Sequence, residues 1–199
     1  MLNAHLLLAF LWILFGVLHS VFASLAVKQR AATAFPKAIK YYRLLYTLFA
    51  FLTFGIVIVY AVQLTSPLLF ARTFFSNATG AVIAVSGLAI MIICIKKYFL
   101  SLSGLKSLFQ ERPTHRLMIN GIHRYVRHPL YLGTFMAIWG AFLIYPVLSL
   151  FISNVLITAY TLLGISFEEK KLIKEFGTDY EQYRQSVPKL IPAFGRKPI

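Results

Sequence analysis

Apolar residues fill five stretches of the chain, about 6–27, 44–64, 80 to 95 or 100, 130–145 and 147–167, and polar residues gather between them. A run of roughly 18 or more apolar residues with few charges reads as a transmembrane helix, because about 20 residues cross the hydrocarbon core. The pattern predicts an all-α integral membrane protein with about five transmembrane helices. The last two pivot at Tyr145-Pro146, where proline removes a backbone donor and disfavours helix in the residue before it. Between the second and third runs, residues 65–79 carry Pro67, Asn77 and the lone charge Arg72. Residues 101–120 carry Lys106, Arg112, His115 and Arg116, and are broken at Ser103-Gly104 and Arg112-Pro113. They predict a short amphipathic helix followed by a turn.

Composition agrees with the pattern. Of 199 residues, 59% are hydrophobic and 13% charged, against about a quarter charged in soluble domains. The net charge of +14 could suggest nucleic acid, but the bases lie beside apolar runs. Anionic lipid and the positive-inside bias account for them more simply, so no nucleic-acid partner is expected. Lys28, Arg30, Lys37, Lys40 and Arg43 form a basic loop after the first run, Lys96-Lys97 close the third, and further bases follow the fifth. With five spans these places share one side, predicted to be cytoplasmic, with the N-terminus outside and the C-terminus inside. The single Cys94 lies within a span and forms no internal disulfide. The first run lacks a basic leader and a small-residue cleavage site, and is expected to be a span.

The C-terminal tail predicts further helix. Glu168 to Phe176 continues the fifth run, Gly177 suits a helix C-cap, and Thr178-Asp-Tyr-Glu181 has capping-box spacing for a second short helix. Tyr180 and Tyr183 share a face of that helix, with Val187 one turn on. An interfacial helix and a ligand lid are both open readings. Pro188 and Pro192 end the regular structure.

Polar chemistry concentrates in Gly121-Ile-His-Arg-Tyr-Val-Arg-His-Pro-Leu-Tyr-Leu-Gly133 and in Glu168-Glu169, two of six acidic residues. A hairpin of two similar helices would bring those stretches together. Carboxylates at a membrane boundary cost free energy unless paired, and Arg124 and Arg127 are natural partners. An interfacial ion pair anchoring the hairpin is the plain alternative to a ligand site. Pro129 suits the first helical turn beside His128, and Gly121 and Gly133 permit close backbone approach. His123 and His128 lack companion ligands at metal-site spacing, so no metal is expected. His19-Ser20 is a polar break in the first span on the basic side.

The run Arg127-His-Pro-Leu-Tyr-Leu-Gly133, the hydrophobic hairpin, Glu168-Glu169, and the tail Glu175-Phe-Gly-Thr-Asp-Tyr-Glu-Gln-Tyr183 with Val187-Pro188 together resemble the isoprenylcysteine carboxyl methyltransferase superfamily. That superfamily includes membrane phospholipid methyltransferases and small thiol-methylating bacterial enzymes. The likeness covers about residues 80–192, with His123 standing where the superfamily often has Tyr. It implies an S-adenosylmethionine-dependent membrane methyltransferase, with the cofactor reached from the cytosol and a hydrophobic or lipid-like acceptor from the bilayer. Arg127, Glu168 and Glu169 would be catalytic. Gly121, His123, Tyr125, Arg127, His128, Pro129, Tyr131, Gly133 and Glu168 would bind the cofactor, the C-terminal helices closing its pocket. Residues 1–79 would form two N-terminal spans and 80–199 the methyltransferase core, in a bacterial inner membrane with no obligate protein partner. The acceptor is left open between a prenylcysteine carboxylate, a lipid amine and a thiol. A non-catalytic assembly factor or small-ligand binder of the same fold is the alternative.

Overall fold

The computed structural model describes residues 2–102, 117 and 119–192, with backbone alone for 97–102. Among them the regular elements are helices: α1 (Leu2–Ala23), α2 (Leu25–Ala34), a 3-10 turn (Ile39–Tyr41), α3 (Tyr42–Gln63), α4 (Phe74–Leu102), a second 3-10 turn (Gly121–Arg124), α5 (Pro129–Ile144), α6 (Leu148–Phe176) and α7 (Thr178–Ser186). Leu2–Ala23, Ile39–Gln63, Phe74–Lys96 and Leu148–Phe176 are long and apolar enough to cross a membrane, and Pro129–Ile144 is a shorter apolar helix. Side chains such as Phe51, Val62 and Phe74 are 70%, 80% and 80% exposed. Apolar surface on this scale suits contact with lipid tails. The protein is a multi-pass, all-helical membrane protein.

Several boundaries differ from those the sequence suggests. The first span ends at Ala23 rather than Val27, because Ser24 interrupts it: its hydroxyl accepts from Val27 N and donates to the Val21 carbonyl at 2.7 Å. Lys28 and Arg30 therefore sit on α2, a helix, and not in a loop. The fourth apolar run becomes a helix of 16 residues, rising about 24 Å against a hydrocarbon core of about 30 Å. Pro129 at its first turn and the Tyr145-Pro146 break set that length. The capping box at Thr178 does not form. Gly177 instead ends α6 through its N–H to the Ile173 carbonyl and serves as N-cap of α7, with no side-chain cap. Its φ of 55° and ψ of −129° lie where only glycine is comfortable. The amphipathic helix and turn expected from Ser101 onward, with Lys106, Arg112, His115 and Arg116, fall outside the described residues.

The chain divides into two compact units. The first comprises residues 1–71, 98–113 and 146–157. Its core is Leu8, Trp12 and Val57 with Leu11, Phe15, Tyr60 and Leu156 against them. Polar groups there are satisfied internally: Trp12 Nε1 donates to Ser153 Oγ at 2.8 Å, and Ser66 Oγ accepts from Ser149 N at 2.8 Å while lying 2.9 Å from His5 Nε2. Hydrogen bonds of this kind fasten helices where burial of apolar surface alone cannot.

The second unit comprises residues 72–97, 114–145 and 158–199 and holds every candidate site residue. Here α4 and α5 approach through small residues. A Cβ on Gly87 would meet the Gly133 carbonyl at 2.6 Å, and one on Gly140 would meet Ala84 N at 2.5 Å. Glycine at these positions lets two backbones touch, as in small-residue membrane contacts. Trp139 Nε1 donates to Thr158 Oγ1 at 3.1 Å and ties α5 to α6.

Candidate active site

The polar run begins at Gly121, whose φ of 70° again requires glycine, and which opens the 3-10 turn through Arg124. That turn places His123 so that its Nδ1 lies 3.1 Å from the Arg127 carbonyl and carries the proton there, while its own carbonyl accepts from the Tyr183 hydroxyl at 2.7 Å. The segment is fastened from the other side as well. Arg127 N donates to the Pro188 carbonyl at 2.9 Å and His128 N to that of Lys189 at 3.1 Å. Two residues that would otherwise stand unpaired before a helix are thus held by the C-terminal tail.

Arg127 is the centre of the arrangement. Its Nε and Nη2 donate to Glu169 Oε1 at 2.9 and 2.8 Å, and its Nη1 donates to the carbonyls of Arg184 and Val187. The two side chains are 8% and 9% exposed. A guanidinium offers a planar set of donors, and here it joins a carboxylate on α6 to the end of α7. His128 adds a third donor to the same oxygen, its Nε2 lying 3.1 Å from Glu169 Oε1.

The neighbouring carboxylate has a different environment. Glu168 is 44% exposed, with its Oε2 accepting from the Tyr131 hydroxyl at 3.1 Å and lying 3.8 Å from His128 Nδ1. Tyr131 stacks on His128 with ring centres 5.7 Å apart. One glutamate is held within the protein, and the other is steadied and left accessible. Beside Glu169 lies a cavity of about 320 Å³ lined by Arg127, Ser166, Lys170, Ile173, Arg184 and Lys189. Four of these side chains are basic.

The structure therefore gathers Arg127, His128, Tyr131, Glu168 and Glu169 into one cluster, with His123 bonded to its backbone and Pro129 starting the helix that carries Tyr131. Gly133 packs against Gly87 and Met91, and Tyr125 is 56% exposed. Sequence reasoning missed the carbonyls of Arg184 and Val187, and the cationic wall of Lys170, Arg184 and Lys189. The stretch of bases after Glu169 is the signal that could have indicated the wall.

Helices long and apolar enough to cross a membrane, with a buried cation–carboxylate cluster joining the start of α5 to the C-terminal part of α6, define a class of multi-pass membrane protein with a polar site. The chain belongs to the family described as Protein of unknown function (DUF1295), whose model matches residues 3–187. It is 32% identical over 194 residues to the methanethiol S-methyltransferase of Crocosphaera subtropica, covering 92% of this chain and 73% of that protein. It is 41% identical over 73 residues to methanethiol S-methyltransferase 1 of Bradyrhizobium diazoefficiens, 36% of this chain and 24% of that one. The protein-S-isoprenylcysteine O-methyltransferase of Schizosaccharomyces pombe is 38% identical over 79 residues, 39% of this chain and 34% of that one. These relatives agree with the resemblance to isoprenylcysteine methyltransferase-like membrane enzymes. No solved structure gives a significant match.

Proposed function

We propose that the protein is an S-adenosylmethionine-dependent membrane methyltransferase acting on a small hydrophobic or lipid-like acceptor. A thiol is the first choice, because the relative matched along most of the chain is named for one. The observation that carries the reading is the unequal use of two adjacent glutamates. Glu169 is occupied by Arg127 and His128, while Glu168 is oriented by Tyr131 and kept accessible.

The residues fit the cofactor's chemistry. It carries a sulfonium and an ammonium, which Glu168 can meet, and a carboxylate, which suits a cavity walled by Arg127, Lys170, Arg184 and Lys189. When bound, it supplies a methyl group on a positively charged sulfur. In-line displacement needs alignment and exclusion of water more than proton transfer. Tyr131 and His128 fix Glu168, and Arg127 holds the tail beside it. A thiol acceptor must also lose its proton. Glu168 Oε1, the oxygen not bonded to Tyr131, would take it as general base. The site faces the cytosol in this reading, with the C-terminus inside, the N-terminus outside and the chain in a bacterial inner membrane.

The test is to identify by mass spectrometry what detergent-purified protein retains, then to supply methyl-labelled S-adenosylmethionine with a short thiol or with membrane lipid extract. Label in a thioether supports the first choice, and label in lipid moves the acceptor. No cofactor retained or bound, and no label transferred, would overturn the proposal.

A further inference from the structure

A second cavity, of about 320 Å³, lies in the first unit between α1 and α3, lined by Phe15 and His19 from one helix and by Tyr46, Ala50, Phe51 and Phe54 from the other. Steps of four along each helix turn one face of it toward the gap. The two helices are fastened on either side. At one end Tyr42 donates its hydroxyl to the Phe22 carbonyl at 2.7 Å, and the Phe22 and Phe49 rings meet with centres 5.1 Å apart. At the other, the rings of Trp12 and Phe15 each stand 5.7 Å from that of Phe54. Packed helices interdigitate and leave few voids larger than a water molecule. A space of this volume between two fixed points calls for an occupant.

Its lining says what kind. The rings of Tyr46, His19, Phe15 and Phe54 follow one another along the wall, with centres 5.3, 5.7 and 5.7 Å apart. Eight residues separate Tyr46 from Phe54, a depth of about 12 Å along the helix. The polar liners His19, Tyr46 and Thr47 stand together at the end where α1 stops and α3 starts. There the Tyr46 hydroxyl lies 2.8 Å from His19 Nε2, and the pair brings an O–H and an N–H to the cavity. Apolar and aromatic walls with a few placed polar groups are the usual features of a ligand pocket. Phe51 and Phe54 are exposed on a helix long and apolar enough to cross a membrane, so the molecules that reach the cavity are those of the bilayer.

The chain that joins the two helices supplies charge at the polar end. Lys28, Arg30, Lys37, Lys40 and Arg43 are exposed there, and none of the first 110 residues is acidic. Arg43 lies one turn before Tyr46 and Thr47 on the same face, and its carbonyl accepts from the Thr47 hydroxyl at 2.8 Å. A basic rim at the mouth of an apolar cavity complements an anionic head on an apolar chain. We propose that the cavity is a site for an anionic phospholipid: one acyl chain lies along Phe15, Ala50, Phe51 and Phe54, and the phosphate meets the His19–Tyr46 pair and Arg43. The lipid is held in one place instead of exchanging freely around the helices. The site belongs to the first unit and stands whether or not the cofactor reading holds.

The test uses the whole chain, purified in detergent and stripped of lipid, with binding read by native mass spectrometry and thermal melting. Dioleoylphosphatidylglycerol should bind saturably, one lipid to one chain, and raise the melting point. It should bind at least about fivefold more tightly than dioleoylphosphatidylcholine. Glycerol 3-phosphate, the head without its chains, should not bind. Ala50→Phe places a ring in the cavity and should abolish phosphatidylglycerol binding. Leu52→Phe enlarges an exposed side chain of the same helix and should leave binding unchanged. Arg43→Gln should fold as wild type and lose the preference for phosphatidylglycerol. Equal binding of the two phospholipids, or phosphatidylglycerol binding that survives Ala50→Phe, would overturn the proposal and leave only lipid around the helices. So would oleyl alcohol that binds as tightly as phosphatidylglycerol and is excluded by Ala50→Phe, which would assign the cavity to an uncharged apolar molecule. If Ala50→Phe does not fold, Arg43→Gln decides: an unchanged preference removes the site.

Discussion

Replacing Arg127 by methionine should be the most damaging single change in the site, even with no ligand bound. The side chain joins Glu169 on α6 to the Arg184 and Val187 carbonyls at the end of α7. With both partners under a tenth exposed, the pair is not a surface ion pair worth about 0–1 kcal/mol. Breaking a buried pair from one side costs about 3–5 kcal/mol, because the remaining charge stays buried. His128 and the more distant Lys189 still face Glu169, which places the expected loss toward the lower end. At about 2–4 °C per kcal/mol for a chain of this length, the melting point should fall by roughly 10 °C. The loss should begin at the tail, so limited proteolysis should cut near Gly177 in Arg127→Met before wild type. Arg127→Lys should recover little, since one ammonium cannot reach both the carboxylate and the carbonyls. A melting point within about 2 °C of wild type and an equally protected tail would show that Arg127 does not fasten α7 to Glu169.

Glu168→Gln should behave in the opposite way: the side chain is 44% exposed, so the empty protein should melt within about 2 °C of wild type, while S-adenosylhomocysteine should bind at least tenfold more weakly; a large loss of stability with binding intact would count against it. Gly133→Ala should destabilise by about 1–3 kcal/mol, since the new Cβ would stand 2.8 Å from the Gly87 carbonyl and 3.1 Å from Met91 N; detergent melting checks this, and a neutral result would show that α4 and α5 can separate freely. A reporter fused after Ile199 should be cytoplasmic and one inserted near Asn77 external; finding both on one side would discard the proposed orientation.

Much of the fold was legible because lipid demands long apolar helices and leaves few other ways to satisfy the backbone. The second run, expected over about 44–64 and found as Tyr42–Gln63, and the reversal at Tyr145-Pro146 follow from composition and proline alone. The break at Ser24 did not show, because Leu25, Ala26 and Val27 continue the apolar pattern and a single capping serine is a weak local signal. In the site, Arg127 was open between a ligand site and an ion pair with the two glutamates. The structure pairs it with Glu169 and with carbonyls 57 and 60 residues away, and carbonyls are invisible to sequence reading since every residue carries one. Gly133 showed the same limit. Close approach was expected there, but the neighbour is the backbone of Gly87, on a helix whose facing glycines could not be matched from spacing alone. The different exposures of Glu168 and Glu169 follow from a helical step of about 100°, yet which of the two turns inward depends on where Arg127 lies.

Whether the Glu168 side of this cluster receives S-adenosylmethionine can be read from equilibrium binding of the labelled cofactor to purified wild type and Glu168→Gln. Binding to wild type should be saturable, displaced by S-adenosylhomocysteine and weakened at least tenfold in Glu168→Gln, with both proteins folded. Folded wild type that binds none, or equal binding by both proteins, would contradict a cofactor site there.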